Sequence, residues 1–145
     1  MENPKKMVFL TPFYNDHKRI DLLMEELKRE VRLHAVSLKT LQEIRWSFER
    51  HFFLEEKLIH KGLDSQIALP AIKIKRMLVE HDEILLLVNH LEFIVENETY
   101  NNEEIQTVFQ ILFKLNTEHI HYEMKEIYTS FLDLTQTNNT NHIQS

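Results

Sequence analysis

The chain contains a single glycine and only three prolines among its 145 residues. These two residue types end helices and form most tight turns, so their scarcity favours long helices joined by few connections. A chain of this length forms one domain and buries about 68–70% of the surface that its unfolded form exposes. The composition therefore predicts a single all-α domain over residues 1–145.

Four segments show the apolar spacing of amphipathic helices. They extend from about Pro12 to Leu33, Ser37 to Gly62, Pro70 to Asn97, and Asn102 to Leu134. Pro12 suits a first helical turn, Ser37 an N-cap and Gly62 a C-cap. Because the connections are short, consecutive helices lie side by side in opposite directions. We predict an up-down-up-down antiparallel four-helix bundle with a core of about 12–134 and a disordered tail at 135–145.

Charge and hydropathy exclude several classes of protein. The net charge is −6, and the only concentration of basic residues is Lys73, Lys75 and Arg76, which argues against binding nucleic acid through a broad basic face. The apolar run Ile84–Val88 is too short to span a membrane, and Met7–Leu10 is too short for a secretory signal. We expect a soluble, cytoplasmic protein that binds neither nucleic acid nor membrane. A protein partner or a homodimer stays open, because no sequence feature indicates one.

The nine histidines divide into two groups when each is compared with the apolar stripe of its helix, at about 100° per residue. Four lie on the stripe, one on each helix: His17, His51, His81 and His119. Glu55 and Glu123 follow two of them by one turn, so that each pair lies on one helix face. The other five fall on the opposite face, in a connection or in the tail: His60, His90, His121, His34 and His142.

A metal site explains why four histidines and two carboxylates point into a core. A single buried histidine is usually a core residue with one hydrogen-bonded nitrogen, but four on four inward stripes are harder to explain in this way. An unpaired buried carboxylate carries a large desolvation cost, which a cation removes. The chain has no cysteine, so a metal must bind imidazole and carboxylate. The set exceeds the ligands of a typical zinc site and suits two bridged ions such as iron, with zinc or manganese as possible substitutes.

Four stretches carry a resemblance to a known family: NDHKRIDLL, HFFLEEKLI, EHDEILLL and HIHYEMKEIY. Their combined pattern, H…HxxxE…H…HxxxE, resembles the hemerythrin-like (HHE cation-binding) family from about residue 13 to 134. The resemblance implies a non-haem di-iron centre inside the bundle, with an oxo or hydroxo bridge. It further implies that Glu55 and Glu123 bridge the irons and that the four histidines are distributed over both.

Two positions depart from the oxygen-carrying hemerythrins. Those proteins have a second histidine four residues after the third-helix ligand, where this chain has Leu85. They also have an aspartate five residues after the fourth-helix histidine, where this chain has Met124. The four histidines and two glutamates that remain are similar to the ligand sets of family members linked to iron-centre repair, to nitric-oxide or peroxide response, and to iron or oxygen sensing.

The leading hypothesis is a di-iron protein that binds or reacts with O₂, NO or peroxide, and the alternative is iron-centre repair, iron donation or iron–oxygen sensing. We expect a binding protein more than a dedicated enzyme, and we assign no catalytic residue. A ferritin-like oxidase uses paired Glu-x-x-His motifs, whereas this chain has one, Glu118–His121, off the stripe. A third alternative is a metal-free interaction bundle, and the four histidines that converge on the core argue against it.

Several neighbouring residues have secondary roles in this interpretation. Glu126 could add a ligand and Tyr122 could hydrogen-bond a bound oxygen species, although a solvated glutamate and ordinary packing are the simpler interpretations. Glu56 and His60 are expected at the surface. The expected apolar shield is Phe48, Phe52, Phe53, Ile59, Leu85, Val88 and Leu112.

Overall fold

The computed structural model describes residues 4–64, 69–97 and 101–131, and over these residues the chain is helical without strands. It forms four α-helices: α1 (Pro4–Arg32), α2 (Leu38–Asp64), α3 (Ala71–Glu96) and α4 (Asn102–Tyr122). Helix α4 continues into a π-helical segment, Glu123–Tyr128, called the π segment below. None of the described helices is long and apolar enough to cross a membrane. This architecture is consistent with the predicted four-helix bundle. The predicted tail at 135–145 lies outside the described residues.

The helix ends follow from local hydrogen bonding. Helix α1 ends because His34 adopts a left-handed conformation, with φ of 54°, and Ala35 N–H donates to the Glu30 carbonyl at 2.9 Å. The Ser37 hydroxyl then accepts from Thr40 N–H at 3.3 Å, which confirms the predicted N-cap. Asn101 caps α4 in the same way, because its side-chain oxygen accepts two backbone N–H groups of the first turn.

Two predicted helix ends were wrong. Helix α1 begins at Pro4, so Pro12 lies inside it rather than in its first turn. A proline inside a helix removes one backbone hydrogen bond. Leu10, two residues before Pro12, is nevertheless helical and fully buried in the core. Gly62 lies within α2, which ends at Asp64, and no described glycine has a positive φ. Gly62 is therefore not a left-handed C-cap.

Polar contacts between consecutive helices pair rising residue numbers on one helix with falling numbers on the next. Between α2 and α3, Arg45 contacts Glu92 at 2.7 Å and Glu56 contacts His81 at 3.3 Å. Helices α3 and α4 show the same order, since His90 contacts Glu104 and Glu80 contacts His119. These contacts are consistent with antiparallel neighbours, and the complete up-down-up-down order stays a prediction.

The core consists of two apolar clusters separated by a polar layer. The larger cluster includes Met24, Leu41, Phe48, Ile84 and Leu112. The smaller one includes Leu10, Ile59, Met77, Ile127 and Phe131. On every helix, the histidine of the apolar stripe lies between residues of the larger cluster and residues of the smaller cluster. These histidines and their neighbouring carboxylates form the polar layer, which lies nearer the end of the helices that contains the smaller cluster.

Candidate metal centre

The structure brings the six predicted ligands together in the polar layer. They come from α1 (His17), α2 (His51 and Glu55), α3 (His81), α4 (His119) and the first residue of the π segment (Glu123). His17 is 5% exposed and the other five are 0–1% exposed. The HxxxE spacing places His51 Nε2 at 2.8 Å from Glu55 Oε1, and His119 Nε2 at 2.9 Å from Glu123 Oε1.

The six side chains form two overlapping groups. Donor atoms of His17, His51, Glu55 and Glu123 lie within 4.8 Å of one another, and so do those of Glu55, His81, His119 and Glu123. We call the first group position A and the second position B. Both positions share the two glutamates, whereas each has its own two histidines. Each group has the donor types and the spacing that could hold a metal ion.

Most of the donor atoms lack hydrogen-bond partners; the exceptions are His17 Nε2 and Glu55 Oε2, which contact the Tyr128 hydroxyl. Seven buried nitrogen and oxygen atoms of these residues form no hydrogen bond: His17 Nδ1, Nε2 of His51, His81 and His119, Glu55 Oε1, and both oxygens of Glu123. Buried polar atoms in proteins are nearly always paired. An imidazole lone pair that faces a carboxylate oxygen at less than 3 Å is repelled, unless a proton or a cation lies between the two atoms. The residues therefore fit divalent cations.

Three carboxylates orient three of the histidines. Nδ1 of His51 contacts Asp16 at 3.2 Å, Nδ1 of His81 contacts Glu56 at 3.3 Å, and Nδ1 of His119 contacts Glu80 at 3.0 Å. An Nδ1–H that donates to a carboxylate leaves the Nε2 lone pair directed at the cluster, which is the usual arrangement around a ligating histidine.

These three orienting residues were not predicted from the sequence, although a signal was present. Asp16 precedes His17, Glu56 follows Glu55 and Glu80 precedes His81, so each acid is adjacent to a predicted ligand on its own helix. Each one orients a histidine of the next helix instead. Glu56 is exposed as predicted, and it nevertheless contacts the buried His81 ring.

Burial keeps most of these imidazoles in the form that binds metal. Burial, and then repulsion from the neighbouring histidines, lowers the pKa of His17 to about 3 and that of His81 to about 2. Burial also lowers the pKa of His119, despite the opposing effect of Glu80. For His51 burial lowers the pKa, but the carboxylates of Glu55 and Asp16 more than offset it and raise the pKa. His17, His81 and His119 are therefore neutral near pH 7.

Tyr128 is a further polar residue of this layer. It is 1% exposed, and its hydroxyl donates to Glu55 Oε2 at 3.0 Å. The hydroxyl oxygen of Tyr128 also lies 3.2 Å from His17 Nε2. Its ring is nearly parallel to that of His17, with an interplanar angle of 11°. Burial raises the pKa of Tyr128, so the side chain is a neutral phenol. Tyr128 contributes an O–H group to position A.

The π segment explains why helical spacing did not predict Tyr128. At about 100° per residue, a side chain five residues after Glu123 points about 140° away from it on an α-helix. A π-helix has i→i+5 hydrogen bonds, so residues five apart lie on the same face. Glu123 and Tyr128 are the first and last residues of the π segment, and both are buried.

The secondary predictions had mixed outcomes. Tyr122 packs under the Arg76 guanidinium at 3.9 Å, and Glu126 pairs with Lys73 at 2.7 Å, so both follow the simpler interpretation. Phe52 shields the site by stacking on His81 at 3.8 Å, whereas Phe53 is 55% exposed and its predicted shielding role was wrong. The histidines predicted to lie off the stripe are exposed where the structure describes them: His34, His60, His90 and His121. His142 lies outside the described residues.

The fold and the site together define a helical protein with a buried histidine–glutamate cluster suited to cations. The family model of the Hemerythrin HHE cation binding domain matches residues 9–130. Because this match spans most of the chain, the chain belongs to that family. Comparisons with curated proteins and with solved structures gave no match. The family and the two groups of buried donor atoms both indicate a metal-binding site.

Proposed function

We propose that this chain is a non-haem di-iron protein that binds or reacts with a small ligand, O₂, NO or peroxide, at positions A and B. The observation that carries the proposal is the pair of buried donor groups that share Glu55 and Glu123. His17 and His51 would hold one iron, His81 and His119 the other, and the two glutamates would bridge them. Two adjacent irons supply the redox chemistry that these side chains lack.

The ligand count leaves room for a small molecule. Two octahedral ions need more donor atoms than four imidazoles and two bridging carboxylates provide. Iron suits this donor set because it binds both imidazole nitrogen and carboxylate oxygen. The hydroxyl that contacts the ligands of position A belongs to Tyr128, so we assign to Tyr128 the hydrogen-bonding role that the sequence suggested for Tyr122.

The surroundings of the site exclude water. Phe52 stacks on the His81 ring and lies 5.7 Å, between ring centres, from His119. Phe48, Val88 and Leu112 belong to the larger apolar cluster and are 0–1% exposed. A low-dielectric surrounding strengthens the interaction between each cation and its carboxylates, and it limits the loss of reactive species to water.

Iron content tests the proposal. Protein purified aerobically from an iron-supplemented host should contain about two iron ions per chain, with near-ultraviolet charge-transfer bands. His51→Ala should lower both the iron content and these bands. His90→Ala is the matched control, because His90 is exposed and contacts Glu104 away from the cluster.

Protein that is folded, iron-free and unable to take up ferrous iron anaerobically would contradict the proposal. If iron is present, rapid mixing with O₂, NO and H₂O₂ in separate experiments ranks the three ligands by the speed of the optical change.

A further inference from the structure

Helix α3 is apolar on two opposite faces. Its inner face packs in the core through Met77, Ile84 and Leu91, which are fully buried. Of the eleven large apolar side chains that are exposed among the described residues, five lie on α3. A helix that is apolar on both sides is usually covered on both sides. The outer face of α3 is therefore a candidate contact surface.

Four of these exposed residues form one stripe with a seven-residue spacing, which we call the outer stripe. They are 45–78% exposed: Ile72, Val79, Leu86 and Phe93. Seven residues make nearly two turns of an α-helix, so each member lies only about 20° around the helix from the previous one. The stripe is about 32 Å long, at 1.5 Å per residue. This repeat is the spacing by which two helices pack along each other.

Charged residues border the outer stripe, and their sign changes along the helix. Lys75 and Arg76 lie in its first heptad, and Asp82 and Glu83 occupy the equivalent places in the second. Lys75 and Asp82 therefore border the stripe on one side, and Arg76 and Glu83 border it on the other. All four are exposed, and Lys75, Asp82 and Glu83 form no salt bridge with another described residue.

The outer stripe is complementary to a second copy of itself that points in the opposite direction. When a two-fold axis passes beside Val79, residues equally far before and after Val79 face one another across the axis. Ile72 of each copy then meets Leu86 of the other, and Val79 meets its own copy. Phe93 lies beyond this overlap, and the residue opposite it falls outside the described residues.

The flanking charges favour the same arrangement. With the axis at Val79, Lys75 of each copy faces Asp82 of the other, and Arg76 faces Glu83. The symmetry forms each of these pairs twice. A parallel pair of helices would instead place every charged residue opposite its own copy, so that like charges face one another. Arg76 already contacts Glu80 at 3.6 Å, so the pairs of Lys75 with Asp82 should contribute more.

We propose that the outer stripe is a docking surface for a second copy of this chain, and that two α3 helices pair antiparallel about Val79. This inference goes beyond the proposed metal-binding function and does not depend on it. One helix from each copy makes an interface at the low end of the size range of specific complexes. We therefore expect monomers and dimers to exchange, rather than a permanent dimer.

Sedimentation equilibrium of the full chain tests the surface. The wild type should show a monomer–dimer equilibrium over a range of micromolar concentrations. Leu86→Glu should abolish the dimer, because it buries an unpaired charge against Ile72 of the other copy. Leu22→Glu is the matched control, because Leu22 is 73% exposed against 69% for Leu86 but lies on α1.

Charge reversal tests the direction of the helices. Lys75→Glu and Asp82→Lys each turn two ion pairs into two like-charge contacts, so each variant should dimerise about tenfold more weakly. The double variant restores both pairs with reversed sign and keeps the net charge, so its dissociation constant should return to that of the wild type. A parallel pair predicts no loss in the single variants and no recovery in the double variant.

Cysteine cross-linking tests the position of the axis. The chain has no cysteine of its own, so an introduced one reports on a single site. Val79→Cys should form a disulfide-linked dimer on mild oxidation, because a residue on a two-fold axis lies opposite its own copy. Ile72→Cys on the same stripe should link much more slowly, since it faces Leu86 in the antiparallel arrangement.

The results that would overturn the proposal are distinct. One is a wild type that stays monomeric at every concentration, and a lowered melting temperature of Leu86→Glu in such a monomer would show that the chain covers the stripe with its own residues. Another is a dimer that survives Leu86→Glu and links as fast through Ile72→Cys as through Val79→Cys. Neither result bears on the metal centre, because none of the substituted residues is among its six predicted ligands.

Discussion

Positions A and B contain the same types of donor atom but differ in how their histidines are supported. At position B, His81 and His119 each have Nδ1 on a carboxylate, and Phe52 stacks on the His81 ring. At position A only His51 has this support. His17 has an unpaired Nδ1, and its Nε2 faces the hydroxyl of Tyr128.

This difference indicates separate roles for the two positions. A carboxylate on the outer nitrogen fixes the orientation of an imidazole and increases its basicity, so position B is the more preorganised. His17 is less constrained, and it lies beside the Tyr128 hydroxyl, which hydrogen-bonds Glu55. We expect position B to hold its ion more tightly and position A to be the side at which a small ligand binds.

The largest expected effect comes from a residue shared by both positions. Glu123→Gln removes a buried charge that faces donor atoms of both groups, so both ions should be lost and iron should fall from about two per chain to nearly none. The measurement is iron per chain after purification. Glu126→Gln is the control, because Glu126 pairs with Lys73 instead. Retention of both ions in Glu123→Gln would show that the positions do not depend on a shared bridge.

The next effect distinguishes A from B directly. Removing the imidazole at position B, by His81→Ala, should release more iron than removing the less supported imidazole at position A, by His17→Ala. We expect His17→Ala to retain about one ion per chain, because the ligands of position B are intact. Iron content and the rate of iron loss to a chelator measure the difference. Equal losses in the two variants would mean that the supporting carboxylates do not distinguish the positions.

The supporting carboxylates should have a smaller effect than the ligands. Glu80→Gln leaves His119 in place but weakens the acceptor on its Nδ1, and changes of this kind lower metal affinity by about 10–100-fold. Titration of metal-free protein with ferrous iron measures the affinity. Glu83→Gln on the same helix is the control, because Glu83 is exposed. An unchanged affinity in Glu80→Gln would remove the physical basis for ranking B above A.

The sequence predicted the helices and all six members of the cluster because both depend on spacing within single helices. A histidine and a glutamate four residues apart share a face whatever the neighbouring helix contributes. The start of α2 was predicted from its side-chain cap, Ser37. The start of α1 was not, because tertiary packing around Leu10 outweighs the local preference of Pro12 for a first turn.

The supporting residues were not predicted, because their role depends on contacts between helices. Asp16, Glu56 and Glu80 each act on a histidine of another helix, and periodicity along one helix carries no information about such a contact. Their adjacency to predicted ligands is a signal that a search for flanking acids could use. Tyr128 was not predicted for a different reason, since the π segment departs from the α-helical periodicity of about 3.6 residues per turn.

The smallest expected effect on iron content belongs to Tyr128→Phe, which removes one hydroxyl from position A and keeps the ring. The six donors remain, so iron per chain should stay at about two, while Glu55 Oε2 loses its hydrogen bond. Because that bond restrains a shared glutamate and the hydroxyl lies beside His17, the variant should release its first ion to a chelator faster than the wild type. Its optical response to O₂, NO or peroxide should also change in rate. Tyr122→Phe is the matched control, since that ring packs under Arg76. If Tyr128→Phe and Tyr122→Phe behave alike in both measurements, the Tyr128 hydroxyl has no effect on position A. The only remaining difference between the two positions would then be that His17 lacks a carboxylate on its Nδ1.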